Sequence, residues 1–198
     1  MHRRTLMLMA ATFPLASPLG ASTRLGEVRD VTGPGRLVRD GAEEPLVPGL
    51  PLLQGDRAET GETGLALLWL DERTRIHLGH SSTVELAAFL TEVGGTLSMG
   101  GAIVFDRPDD LPPLDLTIAT AFGEIGVRGT RFFAGPSRGE FAVFVERGAV
   151  EVRGAGVSRR LGPGEGCGMV EGAAPGEVVA WGAARIDEAF ASVGLTRG

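Results

Sequence analysis

Short apolar runs separated by turn residues recur along this chain from Arg24 onward, and they constrain the fold more than any other feature. The runs are four to seven residues long and are split by Gly, Pro and Asp, with turn signals about every 8–12 residues. This spacing is typical of a β-sandwich or a β-barrel. The sequence therefore predicts an all-β fold built from short strands.

Two segments predict hairpins. Leu65–Leu70 is apolar on both parities, as expected of a strand covered on both faces, and an acidic turn separates it from the alternating segment Thr74–Leu78. A second hairpin is predicted from Phe141–Val145 to Val150–Val152, with the turn at residues 146–148. Further strands are predicted at Leu37–Arg39, Val84–Phe89, Gly101–Phe105, Leu116–Thr120, Gly123–Val127 and Arg131–Phe133.

The C-terminal segment Gly182–Val193 has the pattern of an amphipathic helix. Ile186, Phe190 and Val193 recur at helical spacing, and Gly194 follows as a stop signal. A helix this short needs packing to be stable, so we expect it to lie on the sheet; a partner-binding helix is the alternative. The polar, Pro-rich segment Asp106–Pro113 is predicted to be an exposed loop.

The first 21 residues have the pattern of a secretory signal peptide. A basic start at residues 2–4 precedes the apolar stretch Thr5–Leu19, and Ala21 and Ser22 supply small residues for cleavage. Arg3 and Arg4 also resemble a twin-arginine leader. We therefore expect a periplasmic or secreted protein without a permanent membrane span after cleavage; an uncleaved N-terminal anchor is the alternative.

Charge and cysteine content exclude several classes. A net charge of −6 and an isoelectric point near 5.1 argue against nucleic-acid binding, which needs a basic surface. The single cysteine, Cys167, excludes an internal disulfide and a cysteine-rich zinc site. We expect a buried free thiol, with an intermolecular disulfide as the alternative. No cofactor is expected.

The sequence offers weak candidates for catalysis or metal binding. His77 and His80 are three residues apart, which places them on opposite faces of a strand, and the neighbouring Ser81 and Ser82 suggest a nucleophile without showing a triad. We predict no catalytic residue and no metal site. The two tryptophans, Trp69 and Trp181, could stack on a glycan, but core packing is the favoured interpretation.

A glycine-rich step in the middle of the chain predicts a kinked strand. Gly126 within a strand suggests a close backbone approach, and Gly129 can adopt a positive φ or form a bulge. The hydroxyl of Thr130 can then bond a nearby backbone group. Arg128, with its planar guanidinium, is expected to tie the kink down. We predict that Gly126, Arg128, Gly129 and Thr130 form a structural motif.

These residues also carry a resemblance. Ile125–Thr130 (IGVRGT), followed by two phenylalanines, resembles the signature of the FecR domain family. Leu46–Asp56 (LVPGLPLLQGD) resembles the opening of that domain, and Leu161–Cys167 (LGPGEGC) resembles its closing turn. The resemblance extends over about residues 26–170.

The resemblance implies a jelly-roll-like domain of short strands outside the cytoplasmic membrane. Regulatory members of the family relay a signal from an outer-membrane receptor to a cytoplasmic sigma factor, through a cytoplasmic segment and a membrane span that this sequence does not match. We predict a signal peptide at 1–21, a FecR-like β domain at 24–175, and a helix and tail at 176–198. The expected function is a non-enzymatic, exported module for protein interaction, signalling or scaffolding.

The predicted partner is an envelope protein or a cell-wall component, with no nucleic acid involved. The alternatives are a ligand- or glycan-binding β-sandwich of the envelope and an envelope hydrolase.

Overall fold

A computed structural model describes residues 24–71, 73–90, 93–108, 110–112 and 114–196. These residues contain sixteen strands and one helix, so the predicted all-β fold with a short C-terminal helix is confirmed. The predicted signal peptide at 1–21 lies outside the described residues. No helix within the described ranges has the length and apolar character needed to cross a membrane.

The elements follow one another in short steps. They are β1 (Arg24–Thr32), β2 (Gly35–Arg39), β3 (Ala42–Pro45), β4 (Pro51–Leu53), β5 (Arg57–Thr60), β6 (Leu65–Leu70), β7 (Thr74–Leu78), β8 (Thr83–Leu90), β9 (Gly94–Gly100), β10 (Ile103–Asp106), β11 (Asp115–Thr120), β12 (Gly123–Ser137), β13 (Glu140–Gly154), β14 (Val157–Leu161), β15 (Glu165–Met169), β16 (Val179–Ala180) and α1 (Ala183–Ala191).

The first predicted hairpin is confirmed as the antiparallel pair β6–β7. The side chains of Leu68 and Leu70 are fully buried in the core. Leu65, Leu67 and Trp69, on the opposite face of β6, are only half-buried. The prediction that this strand is covered on both faces is therefore wrong for its outer face, which the rest of the chain covers only in part.

The second predicted hairpin is wrong. Residues 146–148 do not reverse the chain, because β13 continues through them and pairs with β12 along nearly its whole length. The reversal lies earlier, at Arg138 and Gly139, where φ is 54° and 88°. Positive φ at both central residues is the requirement of a two-residue type I′ turn.

The β12–β13 hairpin joins two halves of one curled sheet. The strands follow the order β3-β2-β5-β8-β9-β11-β12-β10-β7-β6-β1-β4. On one edge of the hairpin, β11 pairs with the first part of β12 and β10 pairs with the later part. On the other edge, β14 and β15 pair with opposite ends of β13. The jelly-roll-like arrangement of these strands stays a prediction.

Apolar side chains are buried on both faces of the sheet. The main core lies inside the curl and includes Phe89, Phe105 and Phe132. A second cluster on the outer face lies under α1, where the Trp181 ring stacks on Phe144 with centroids 5.0 Å apart. The expectation that the helix packs on the sheet is confirmed, and so is core packing for Trp181.

Candidate functional site at the strand corner

The hairpin β12–β13 carries two facing bulges. Val127 pairs with Val150, and Phe132 pairs with Val145, with the register shifting twice in between. Each strand has four residues in this interval: 128–131 in β12 and 146–149 in β13. We call these eight residues the strand corner. Because the two bulges compensate, the same register resumes on the far side.

The strand corner inverts which side chains face the core. In β12 the core-facing residues are odd-numbered before the corner, as Val127 is, and even-numbered after it, as Phe132 is. In β13 the same inversion occurs between Val145 and Val150. This phase shift is the pattern from which the sequence predicts a turn at residues 146–148. The signal that distinguishes a bulge from a turn is that both strands shift phase at facing positions.

Two glycines give the corner its backbone shape. Gly129 has φ of 56°, in agreement with the expected positive φ. Gly148 has φ of 81°, and a Cβ on it would lie 2.3 Å from the carbonyl oxygen of Gly129. Gly126 differs, because the nearest atom to a Cβ there would be the Glu151 carbonyl oxygen at 3.6 Å. The close backbone approach expected at Gly126 is therefore wrong.

Thr130 and Arg147 fasten the corner to the end of β10. The buried Thr130 hydroxyl donates to the carbonyl oxygen of Arg147, and the Thr130 carbonyl accepts from the Arg107 backbone N–H at 3.0 Å. The Arg147 guanidinium donates to the Arg107 carbonyl at 2.8 Å and to Asp106 Oδ1 at 3.0 Å. The backbone bond expected of Thr130 is thus present.

Arg107 supplies the buried guanidinium of this region. It is 3% exposed, and its Nη1 donates to Asp71 Oδ2 at 2.6 Å and to Thr74 Oγ1 at 2.7 Å. Its Nε and Nη2 donate to the Pro112 carbonyl at 3.2 and 3.0 Å. The prediction of an exposed loop at Asp106–Pro113 is wrong at Arg107, since the loop folds back on that side chain.

Arg128 does not tie the kink down, so that expectation is wrong. Its side chain is exposed, and its guanidinium makes no hydrogen bond or ion pair with the described residues. The physical reason is the bulge, which directs Arg128 away from the backbone groups that it was expected to bind. The fastening role belongs to Arg107, Thr130 and Arg147.

Arg128 instead lines a shallow groove of about 280 Å³ on the outer face, which we call the corner groove. Gly126 lies on its floor, between Thr117 of β11 and Glu151 of β13 in the strand register. The lining residues are Asp115, Thr117, Gly126, Val127, Arg128, Ala149, Val150, Glu151, Arg153 and Arg160. The missing side chain at Gly126 leaves this part of the outer face open.

Three arginines and two carboxylates set the charge of the corner groove. Arg153 Nε donates to Glu151 Oε1 at 2.8 Å. The hydrogen bond from Arg153 holds the pKa of Glu151 below its usual range, and a hydrogen bond with Ser158 and the charge of Arg160 act in the same direction. Since Arg153 is paired with Glu151, Arg128 and Arg160 are the groove cations that an anionic group could reach without displacing an ion pair among the described residues.

The histidines and serines do not assemble into a catalytic group. The His80 Nδ1 atom lies 3.0 Å from the Gly64 carbonyl oxygen. The Ser82 hydroxyl donates to the His80 carbonyl at 3.0 Å and accepts from the Ala102 N–H at 2.9 Å, so it serves the backbone of a turn. Burial, with the charge of Arg131 second, lowers the pKa of His77 to about 4.

Trp69 and Cys167 lie in different environments. Trp69 is half-buried on the outer face, with the guanidinium carbons of Arg29 and Arg75 at 4.7 and 5.5 Å from its ring, so core packing is wrong for this residue. Cys167 is a buried free thiol whose pKa burial raises to about 11. Within the described part of the chain, no cluster of His, Cys, Asp and Glu is suited to hold a metal.

The strand corner and most of the corner groove lie in a recognisable domain. A family model described as FecR protein matches residues 56–151. This segment is a FecR domain. It contains both bulges and every lining residue of the corner groove except Arg153 and Arg160. The resemblance proposed from the Ile125–Thr130 motif is therefore confirmed.

Comparison with solved structures gives a more distant likeness. Two crystal structures of a protein of Parabacteroides distasonis, described as a "putative anti-sigma factor", align with 22% sequence identity and a TM-score of 0.49. Each alignment covers 63% of this chain and 58% of the other chain, so the FecR-domain chain spans less than two thirds of that protein. No curated protein matches the sequence.

Proposed function

We propose that this protein is an exported, non-enzymatic interaction module of the cell envelope, which signals or scaffolds through its FecR domain. The proposal includes a signal peptide at 1–21, a β domain at 24–175, a C-terminal helix and tail at 176–198, and a periplasmic or secreted location. Its partner is an envelope protein or a cell-wall component. The FecR match and the leader-like N-terminus support this assignment.

One observation carries the proposed site of contact, namely the exposed Arg128 above the open floor of the corner groove. The guanidiniums that hold the corner together are bound to carbonyls and carboxylates, as in Arg107 and Arg147. Arg128 instead lies on a bulge that directs it outward, and it makes no hydrogen bond or ion pair with the described residues. Bulges are used to re-aim side chains next to functional sites. Binding through Arg128 would therefore cost no structural hydrogen bond.

Site-specific photocrosslinking in intact cells tests the proposal. A photoreactive residue at Thr117, in the corner groove, is compared with one at the exposed Glu43 in β3. We expect a discrete adduct with one envelope component from position 117 and not from position 43. The same adducts from both positions, or none from position 117 in a folded protein, would contradict the proposal.

Two variants separate recognition from folding. Gly126→Val adds a side chain to the floor of the groove, and the Cβ it introduces would make ordinary contact with the Glu151 carbonyl oxygen at 3.6 Å. Arg128→Glu reverses the exposed charge. Both variants should keep the wild-type melting temperature and lose the adduct. Loss of folding in both variants would show that Gly126 and Arg128 have a structural role and not a role in recognition.

A small anionic ligand is the second candidate for this groove. Three arginines line a space of about 280 Å³, which suits an anion of modest size. Calorimetric titration with inorganic phosphate and with glucuronic acid distinguishes this candidate. Binding that Arg128→Glu abolishes would favour a small anionic ligand. The absence of a heat signal with both probes would favour binding of a macromolecular partner.

A further inference from the structure

A second surface, on β1, β6 and β7, combines an apolar recess with an arginine pair. Trp69 and its two arginine neighbours, Arg29 and Arg75, lie on the outer face of β1, β6 and β7. Next to them is a recess of about 210 Å³. Its lining residues are Asp30, Thr32, Leu65, Ala66, Leu67, His77, Val193, Gly194 and Leu195. We call the three residues and the recess together the tryptophan patch.

The strand register makes the two parts of the tryptophan patch continuous. Trp69 pairs with Arg75, and two residues along each strand Leu67 pairs with His77. Alternate residues of a strand share a face and lie about 7 Å apart. The recess therefore begins one step from the tryptophan, along the direction of the strands.

The C-terminal segment after α1 forms one wall of the recess. Val193 is buried, whereas Leu195 is half-buried. Gly194 has φ of 76°, and a Cβ at this position would lie 2.9 Å from Leu65 Cδ1. The chain therefore turns close over β6, which leaves apolar side chains along the rim of an open recess.

The charge of the tryptophan patch differs between its β7 side and its β1 side. Arg75 is exposed and makes no ion pair or hydrogen bond with the described residues. Arg29 shares Glu27 with Arg24 at N–O distances of 3.3 and 2.9 Å. On the β1 side of the recess Asp30 pairs with Leu67, and its carboxylate accepts the N–H of Val31 at 2.9 Å. A carboxylate would thus be attracted toward Arg75 on β7 and repelled by Asp30 on β1.

We propose that the tryptophan patch binds an extended peptide segment of a partner protein, with an apolar side chain in the recess and a carboxylate two residues away on Arg75. The spacing follows from the step of about 7 Å between the two rows, which is that of alternate residues in an extended peptide. Charge complementarity favours a peptide over an anionic membrane, because a uniformly negative surface would also meet Glu27 and Asp30. This site is independent of the corner groove.

Selection from a random dodecapeptide display library tests the proposal with the full-length protein and its variant Arg75→Glu. The wild type should enrich peptides with an apolar residue two positions from Asp or Glu. Synthetic versions of the enriched peptides should bind at least tenfold more weakly when Gln or Asn replaces the acid, and at least tenfold more weakly to Arg75→Glu. The variant should enrich Lys or Arg in place of the acid.

The controls keep the two surfaces apart. Gly126→Val alters only the corner groove, so it should leave this peptide binding unchanged whatever it does to the crosslinked partner. Melting curves establish that Arg75→Glu folds. The absence of acidic enrichment, enrichment that survives Arg75→Glu, or stronger binding to phosphatidylglycerol vesicles than to any enriched peptide would overturn the proposal.

Discussion

Arg107 and Arg128 lie near the same corner, and their environments assign them opposite roles. We expect Arg107→Ala to lower the free energy of unfolding by about 3–5 kcal/mol, because it leaves the largely buried Asp71 carboxylate without its cation. Arg128→Ala should change it by less than about 0.5 kcal/mol, as is usual for an exposed side chain. Urea denaturation of both variants checks this, and equal losses would contradict it.

The glycines at the corner should differ in the same way. Gly148→Ala forces a Cβ to within 2.3 Å of a carbonyl oxygen at a φ of 81°, and we expect it to destabilise the protein by about 2 kcal/mol or more. Gly126→Ala, with ordinary clearance, is the matched control and should melt like the wild type. Similar melting temperatures for the two variants would show that the backbone relaxes at position 148.

His77 should make stability depend on pH. Its pKa in the folded protein is about 4, below the unfolded value of 6.5, because burial and then Arg131 and Arg75 disfavour its charged form, while Asp106 opposes them in part. The unfolded chain therefore binds the proton more readily, and the free energy of unfolding falls as the pH drops from about 6.5 to about 4. Relative to His77→Gln, the wild type should lose about 2 kcal/mol over this interval. Parallel denaturation curves for the two proteins at every pH would rule this out.

Among the elements, the β6–β7 hairpin could be predicted from sequence and the β12–β13 hairpin could not. The alternation of Thr74–Leu78 keeps one phase, and an acidic turn marks the reversal before it. In β13 the phase changes between Val145 and Val150 around a glycine, and a turn and a bulge both produce that pattern. Only the pairing of β13 with β12 distinguishes a bulge from a turn, and this pairing cannot be recognised from the local sequence of β13.

The candidate site divides along the same line. The positive φ of Gly129 follows from local chemistry, so the sequence predicts it, whereas the backbone acceptor of Thr130 is the carbonyl of Arg147, on the facing strand and 17 residues along the chain. The fastening by Arg107 depends on Asp71 and Thr74, more than thirty residues earlier in the chain. No local pattern contains that contact, so the sequence predicts the stabilising role for the nearer arginine, Arg128.

The helix α1 derives its stability from the outer face of the sheet. Phe190 is fully buried there and meets the Phe144 ring edge-on, with centroids 6.4 Å apart. We expect Phe190→Ala to lower the free energy of unfolding by about 3–5 kcal/mol, and Ala191→Ser, on the exposed side, by well under 1 kcal/mol. Circular dichroism and thermal melting measure both. An unchanged melting temperature for Phe190→Ala would mean that the helix is dispensable for the sheet.

For the whole molecule, Cys167 offers a reporter of opening. The thiol is buried and its pKa is raised to about 11, so little reactive thiolate exists in the folded state. Labelling by a disulfide reagent at pH 8 should be slow in buffer and should accelerate with urea in step with global unfolding. Rapid labelling of the folded protein would show that β15 opens on its own.

The sheet order has a mechanical consequence. Along the path of paired strands, β12 is the single link between the half that ends at β3 and the half that ends at β4. Within the strand ladder, a tension or twist imposed on one half by a bound partner reaches the other half through this hairpin, while the bond from the Thr60 hydroxyl of β5 to the Gly79 carbonyl after β7 gives a second, direct contact. The eight residues of the strand corner would then carry this load. The hydrogen bonds that Thr130 makes with Arg147 and Arg107 would resist it.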